Sequence, residues 1–318
     1  MKYEGFEKKC FNIKPYEDNY LDCFQNLVLS LIKNAGHDPR LFGSVWPWYF
    51  YLDKFESVRP YYFVTQQAIM ELTGGELTEH CLNSDVICEL AQLVLKSPVI
   101  VNVDQFYIKH HYKDIYNVKH GNHSLMLLEY NKDLRSFWCV GIMPTYCGWI
   151  DEAEVMESIL SFEKDNIGYL KCYTYSASVY PIFNNPIMLT RRFINSILLA
   201  ENDKGMFLNG LYDRIKNFLS NENTFENGIF TQRWFWEIER SGKFVSEFIK
   251  SPYCDSQLIP IGKDELLYEM NIINRNLGFS FKLLYKYYLV GKKELYDKAL
   301  LLLNEAVEVE QNLRKKLV

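Results

Sequence analysis

The chain has 318 residues, 48% of them hydrophobic and 16% aromatic, and a net charge of −5 at neutral pH. That length fits one large domain or two ordinary ones, and the composition is ample for a packed core. No long Lys/Arg cluster occurs, Arg191-Arg192 and Arg314-Lys315-Lys316 being small basic spots, which speaks against a nucleic-acid surface.

The N-terminus lacks an apolar signal region, and no apolar run approaches the ~20 residues that span a bilayer, so the expectation is a soluble, cytoplasmic protein without a membrane partner. Eight cysteines without C-x-x-C pairs fit reduced thiols.

In chain order, the first strong pattern begins at Cys23. Asp22 stands as N-cap with Gln25 three positions on, the spacing of a capping box, and Phe24, Leu27, Val28, Leu31 and Ile32 follow a helical period up to Asn34 and Gly36. The aromatic run Trp46-Pro47-Trp48-Tyr49-Phe50-Tyr51 reads either as the lining of an apolar pocket or as core or interdomain packing. Apolar spacing predicts a second helix from about Glu79 to Lys96, burying Cys81 and Cys88. Strands are predicted at Val99–Asp104, His123–Tyr130 and Ser136–Ile142, with a further one around Tyr169–Tyr175.

Beyond about Pro181 the pattern is helical: Leu189–Leu199, Met206–Leu219, Thr231–Ile249, Leu266–Leu289 and Lys293–Leu317. The expected fold is α+β, a central antiparallel sheet packed on the cysteine helix, followed by a mainly helical C-terminal half. A catalytic domain over 1–180 and a helical substrate- or partner-binding domain over 181–318 are expected.

Cys23 is the candidate nucleophile. As the first residue of a helix it faces unpaired N–H groups and the positive dipole end, which favour a thiolate, although the Asp22 carboxylate opposes this. Its backbone N–H is the natural oxyanion donor, with Asn19 or Gln25 as side-chain candidates. His123, at the start of a strand, is the candidate base. An early helix-start cysteine followed by a strand-start histidine is the order of papain-like thiol enzymes. His110, His111, His120 and His123 lie close in sequence, but no zinc-type spacing accompanies them, so no metal is assigned.

The segments Asp22-Cys23-Phe24-Gln25-Asn26, Val101–Tyr107, His120-x-x-His123 through Tyr130, and Gly148-Trp149-Ile150-Asp151-Glu152-Ala153 resemble, in order and spacing, the N-terminal domain of the butirosin-biosynthesis acyltransferase family. A similar protease-like amide synthase assembles closthioamide. The resemblance covers roughly residues 15 to 165. It implies a papain-like fold that makes amides in bacterial antibiotic biosynthesis. An acyl group would pass from the phosphopantetheine arm of an acyl or peptidyl carrier protein to Cys23, and then to a small amine or diamine, with His123 as base and no bound cofactor.

Relatives place Asp-Pro after the histidine strand where this chain has Met143-Pro144. Asp104 is the substitute orienter, with a strand-end cap as its other reading; failing Asp104, a backbone carbonyl or a residue near Met143 is expected. A papain-like peptidase or thioesterase, and an inert binding protein of the same fold, are the alternatives.

Overall fold

The computed structural model describes residues 13–17, 21–48, 50–52, 58–60, 64–83, 85–109, 116–142, 145–164, 170–178, 185–202, 208–219 and 232–318. The front half carries α1 (Cys23–Asn34), β1 (Phe50–Leu52), β2 (Val58–Pro60), α2 (Gln66–Thr73), β3 (Glu76–Cys81), α3 (Val86–Val94), β4 (Val99–Asp104), β5 (Asn122–Asn131), β6 (Ser136–Gly141), β7 (Tyr146–Asp151), α4 (Glu152–Lys164) and β8 (Lys171–Ser176). The helical back half follows as α5 (Pro186–Asn202), α6 (Leu208–Leu219), α7 (Gln232–Lys250), α8 (Lys263–Val290) and α9 (Lys293–Leu317). The fold is α+β, and the described residues fall in two units. One lies within Met1–Asp18, Asp22–Asp38 and Gln66–Ile182, the other within Asn19–Leu21, Pro39–Thr65 and Phe183–Val318.

The first unit is built on an open six-stranded sheet in the order β3-β8-β4-β5-β6-β7, with every pair antiparallel. Alternation along the strands gives the sheet two different faces. Val99, Val101, Val103, Leu125, Leu127, Cys139 and Cys172 form one core with Leu90 and Val94 of α3 and Val155 and Ile159 of α4. Helix α1 packs against β4 and β5, and its Phe24 meets the ring of Tyr173 edge-on at 5.0 Å. The helix stops in a Schellman motif: Gly36, at φ +93°, lets His37 N–H reach the Ile32 carbonyl at 3.1 Å and its own N–H reach that of Lys33 at 3.0 Å.

Two expectations about the segment before β4 are corrected. The helix expected over 79–96 is shorter, because Glu76–Cys81 pairs along its whole length with β8 and Asp85 caps the start of α3 by accepting from Cys88 N–H. A helical apolar period read across 79–85 is overridden there by strand pairing. Cys81 and Cys88 are both exposed rather than buried. Strand β7 and helices α2 and α4 add to the elements read from sequence.

In the second unit Trp46 and Trp48 are fully buried and packed edge to face at 5.4 Å, so these two residues of the aromatic run are core. Tyr49 lies outside the described residues, as do the side chains of Phe50 and Tyr51. Trp46 N–H donates to Ser196 Oγ at 2.7 Å, and its indole Nε1 donates to Glu310 Oε1 at 3.1 Å. A turn of 3-10 helix over Pro39–Gly43 approaches α7 so closely that a Cβ on Gly43 would lie 2.7 Å from that of Phe248. Helices α8 and α9 pair antiparallel through the left-handed Gly291, with Ser280 Oγ donating to the Ala299 carbonyl at 2.8 Å. Among the described residues no helix is long and apolar enough to cross a membrane.

Glu310 is wholly buried, and its Oε2 has no hydrogen-bond partner among the described residues. Burial pushes its carboxyl up to about 7 against the opposing pull of Trp46, Arg314 and the Leu208 backbone. A raised carboxyl pKa means the folded state holds a proton that the unfolded state has lost, so stability falls as pH rises through the window from 4.5 to about 7. Glu310→Gln keeps an acceptor for Trp46 without the buried charge. It is expected to stabilise the protein by a few kcal/mol at pH ~8 and by much less at pH ~5. Thermal unfolding at the two pH values checks this; equal shifts at both would contradict it.

Candidate functional site

Asp22 adopts extended backbone (φ −74°, ψ 172°) and its Oδ1 accepts the N–H of Gln25 at 2.8 Å, which fixes the first turn of α1 and puts Cys23 at its first position. Asn26, fully buried, ties the same turn by donating from Nδ2 to the Asp22 carbonyl at 3.1 Å. Only half of the capping box forms. Gln25 is 8% exposed, and its Oε1 is buried without a partner among the described residues. Asn19, the other side-chain oxyanion candidate, lies outside the described residues.

Helix α1 delivers the Cys23 thiol to the start of β5, where it meets the Ser124 hydroxyl and the peptide N–H groups of Ser124 and Phe24. Burial pushes the thiol up, the Asp22 carboxylate adds to this, and the Ser124 and Phe24 contacts pull only part of the way back. The shift runs against the thiolate expected from the helix start, with burial as its largest cause. Ser124 Oγ in turn donates to Asn102 Oδ1 at 3.0 Å, its direct cross-strand partner.

His123 sits opposite Val103, 9% exposed, and its Nε2 lies 3.0 Å from the Ile142 carbonyl oxygen. A carbonyl can only accept, so Nε2 carries the proton and the basic lone pair is on Nδ1. Burial pushes the imidazole down to about 4, with the Ile142 carbonyl acting against it. Both shifts favour a neutral thiol and a neutral imidazole over the expected thiolate and imidazolium. Successive strand residues alternate in direction, and the thiol meets Ser124, the residue after His123.

Asp104 is the clearest departure from the sequence reading. Its carboxylate is engaged by His120 Nδ1 at 2.6 Å, Gly121 N–H at 3.0 Å, Phe106 N–H at 3.1 Å and Ser161 Oγ at 3.3 Å. Burial alone would raise its pKa, but His120 and the two amides hold it below the ordinary carboxylate value. His120 stacks on Phe106 with centroids 4.2 Å apart, so Asp104 clamps the connection that leads into β5. The Ile142 carbonyl, next to Met143, is what fixes the His123 ring. Asp104→Asn is expected to lower stability by about 2 kcal/mol through loss of charge-assisted hydrogen bonds, with little effect on any reaction at Cys23. Denaturant unfolding measures it; unchanged stability would contradict the clamp.

Of the histidine cluster, His110 and His111 lie outside the described residues, while His120 and His123 are turned to Asp104 and Ile142. No group of three potential ligands is placed to hold a metal among the described residues. Met143-Pro144 also lies outside them. Sequence reading missed Ser124 and Asn102. A polar residue inside each of two apolar strands, Val-Ile-Val-Asn and Ser-Leu-Met-Leu, was the available signal. The Ile142 carbonyl carries no side-chain signal at all.

No protein-family model matches the chain, and no curated protein sequence matches it.

Proposed function

We propose that the chain is a papain-like, cysteine-dependent acyltransferase that forms an amide, as the motif resemblance implies. The observation that carries this reading is the delivery of the Cys23 thiol, at a capped helix start, to the residue that follows His123, whose Nε2–H is held by a backbone carbonyl. With the proton on Nε2, Nδ1 is the ring nitrogen that carries the basic lone pair, and the proposed reaction uses it as proton acceptor. Reaction requires the His123 ring, which strand alternation turns to the opposite face of β5 from Ser124, to swing toward the Cys23 sulfur when substrate binds.

In the proposed reaction the Cys23 proton passes to His123 Nδ1 as sulfur attacks a thioester carbonyl on the phosphopantetheine arm of an acyl or peptidyl carrier protein. The tetrahedral oxyanion is received by N–H groups at the start of α1. Collapse breaks the thioester C–S bond, and the leaving pantetheine thiolate takes the proton from the imidazolium. An amine or diamine then attacks the acyl-cysteine, His123 accepts its proton, and the Cys23 sulfur leaves and is reprotonated. No bound cofactor is needed. The proposed setting is the cytoplasm of a bacterium making an antibiotic or related metabolite.

Intact-mass measurement of protein mixed with an acyl carrier-protein thioester tests this. A slow-hydrolysing adduct on Cys23 that a primary amine discharges as amide is the expected result. An adduct lost as free acid at the same rate with every amine would make the protein a hydrolase, thioesterase or peptidase. The elevated thiol pKa favours one second reading, an inert binding protein of this fold. That reading gains if no adduct forms from any carrier thioester or from small pantetheine thioesters.

A further inference from the structure

We propose that the exposed face of the C-terminal half of α8 is a docking surface for a partner protein presenting an amphipathic helix rich in glutamate or aspartate. At ~100° per residue, Tyr285, Leu289, Lys282, Lys286, Phe279 and Val290 follow one another across an arc of about 140°. All six are exposed, with Phe279 at 52%, Leu289 at 60% and Val290 at 58%. Apolar side chains this exposed, flanking two lysines on one helix face, mark an interaction surface more than a solvated helix does. From first to last they span about 16 Å, three turns of a facing helix.

The charge on this face selects the partner. Residues 271–293 contain Arg275, Lys282, Lys286, Lys292 and Lys293 and no acidic residue, in a chain whose net charge is −5. Lys282 lies over the Phe279 ring at 5.7 Å, and neither Lys282 nor Lys286 meets a carboxylate among the described residues. The helix dipole does not account for them, since the last turn of α8 holds no basic residue and the dipole acts only within that turn.

Other occupants fit less well. A second copy meeting the same face would set lysine against lysine. A bilayer wants lysines flanking an apolar centre, whereas Lys282 and Lys286 lie in the middle of the arc between Leu289 and Phe279. A helix with acids beside an apolar stripe satisfies both kinds of side chain at once.

Fluorescence anisotropy of the full chain with two synthetic helical peptides tests the proposal, one carrying glutamates beside a leucine stripe and the other lysines in their place. The glutamate peptide is expected to bind and the lysine peptide to fail. Lys282→Glu with Lys286→Glu should weaken the glutamate peptide about tenfold or more and let the lysine peptide bind. Circular dichroism of that variant confirms that it is folded, and Leu289→Ser with Val290→Ser should weaken binding without changing the charge preference. Equal affinity for both peptides, or no binding of either, overturns the proposal. So does wild-type binding to phosphatidylglycerol vesicles, or self-association, that the lysine substitutions abolish.

Discussion

Cys23→Ala is expected to abolish the proposed acyl transfer, lowering its rate by about four orders of magnitude or more, while the protein stays folded. The argument is local. The substitution removes the sulfur from the first position of α1 and leaves untouched the Asp22 cap, the Asn26 tie to the Asp22 carbonyl and the buried stripe of Leu27, Val28, Leu31 and Ile32. Alanine is also the best helix former, so stability should change by no more than about 1 kcal/mol. Rates with a carrier thioester and an amine, together with thermal unfolding, check both halves of the expectation. Substantial turnover in this variant would remove Cys23 from the chemistry, and unfolding would mean that the loss of activity says nothing about it.

His123→Gln is expected to have the second largest effect, a loss of about three orders of magnitude in acylation, because the carboxamide can donate to the Ile142 carbonyl but cannot accept the thiol proton. The same variant carries a stability signature of its own. Burial depresses the folded pKa of His123 from its ordinary 6.5 to about 4. Between those values the unfolded chain binds a proton that the folded chain does not. The contribution of the neutral, buried ring is therefore fully present above pH ~6.5 and is lost as pH falls to about 4, amounting to roughly 3 kcal/mol. The window runs opposite in sign to that of Glu310, where stability is lost as pH rises. Denaturant unfolding at several pH values should show a shallower acid slope in His123→Gln than in the wild type. An unchanged slope would place the acid sensitivity elsewhere.

Much of the architecture was legible because the residues that encode it act locally. The Asp22 cap, the period of α1 and the runs Val99–Asp104 and His123–Tyr130 declare themselves within a few residues, and β4 and β5 pair as antiparallel neighbours, with Val103 opposite His123 and Asn102 opposite Ser124. Strand β3 was missed because Glu76–Cys81 acquires its strand character from pairing with β8, whose residues Lys171–Ser176 lie far along the chain.

The sequence offers candidate side chains for the site but not their charges. Cys23 and His123 could be chosen as candidates, but their protonation depends on burial, which a helix-start motif does not report. Asp104 was misassigned for a related reason. Its pairing with Asn122 placed it near His123 in register, yet the turn that follows gives its carboxylate two amides and His120 first. An orienting group that is a backbone carbonyl, as at Ile142, leaves no trace in residue type.

The rate of Cys23 acylation as a function of pH, followed by quenched intact mass in the wild type and in His123→Ala, tests the proposed neutral pair most directly. With Nδ1 of an imidazole of pKa about 4 taking the proton from a thiol of raised pKa, the wild-type rate should fall only toward acid pH and stay level across pH ~5 to ~8. His123→Ala should acylate far more slowly, with a rate rising about tenfold per pH unit as the thiolate forms unaided. A wild-type rate that rises in that same way through neutral pH and is unaffected by loss of His123 would contradict the account.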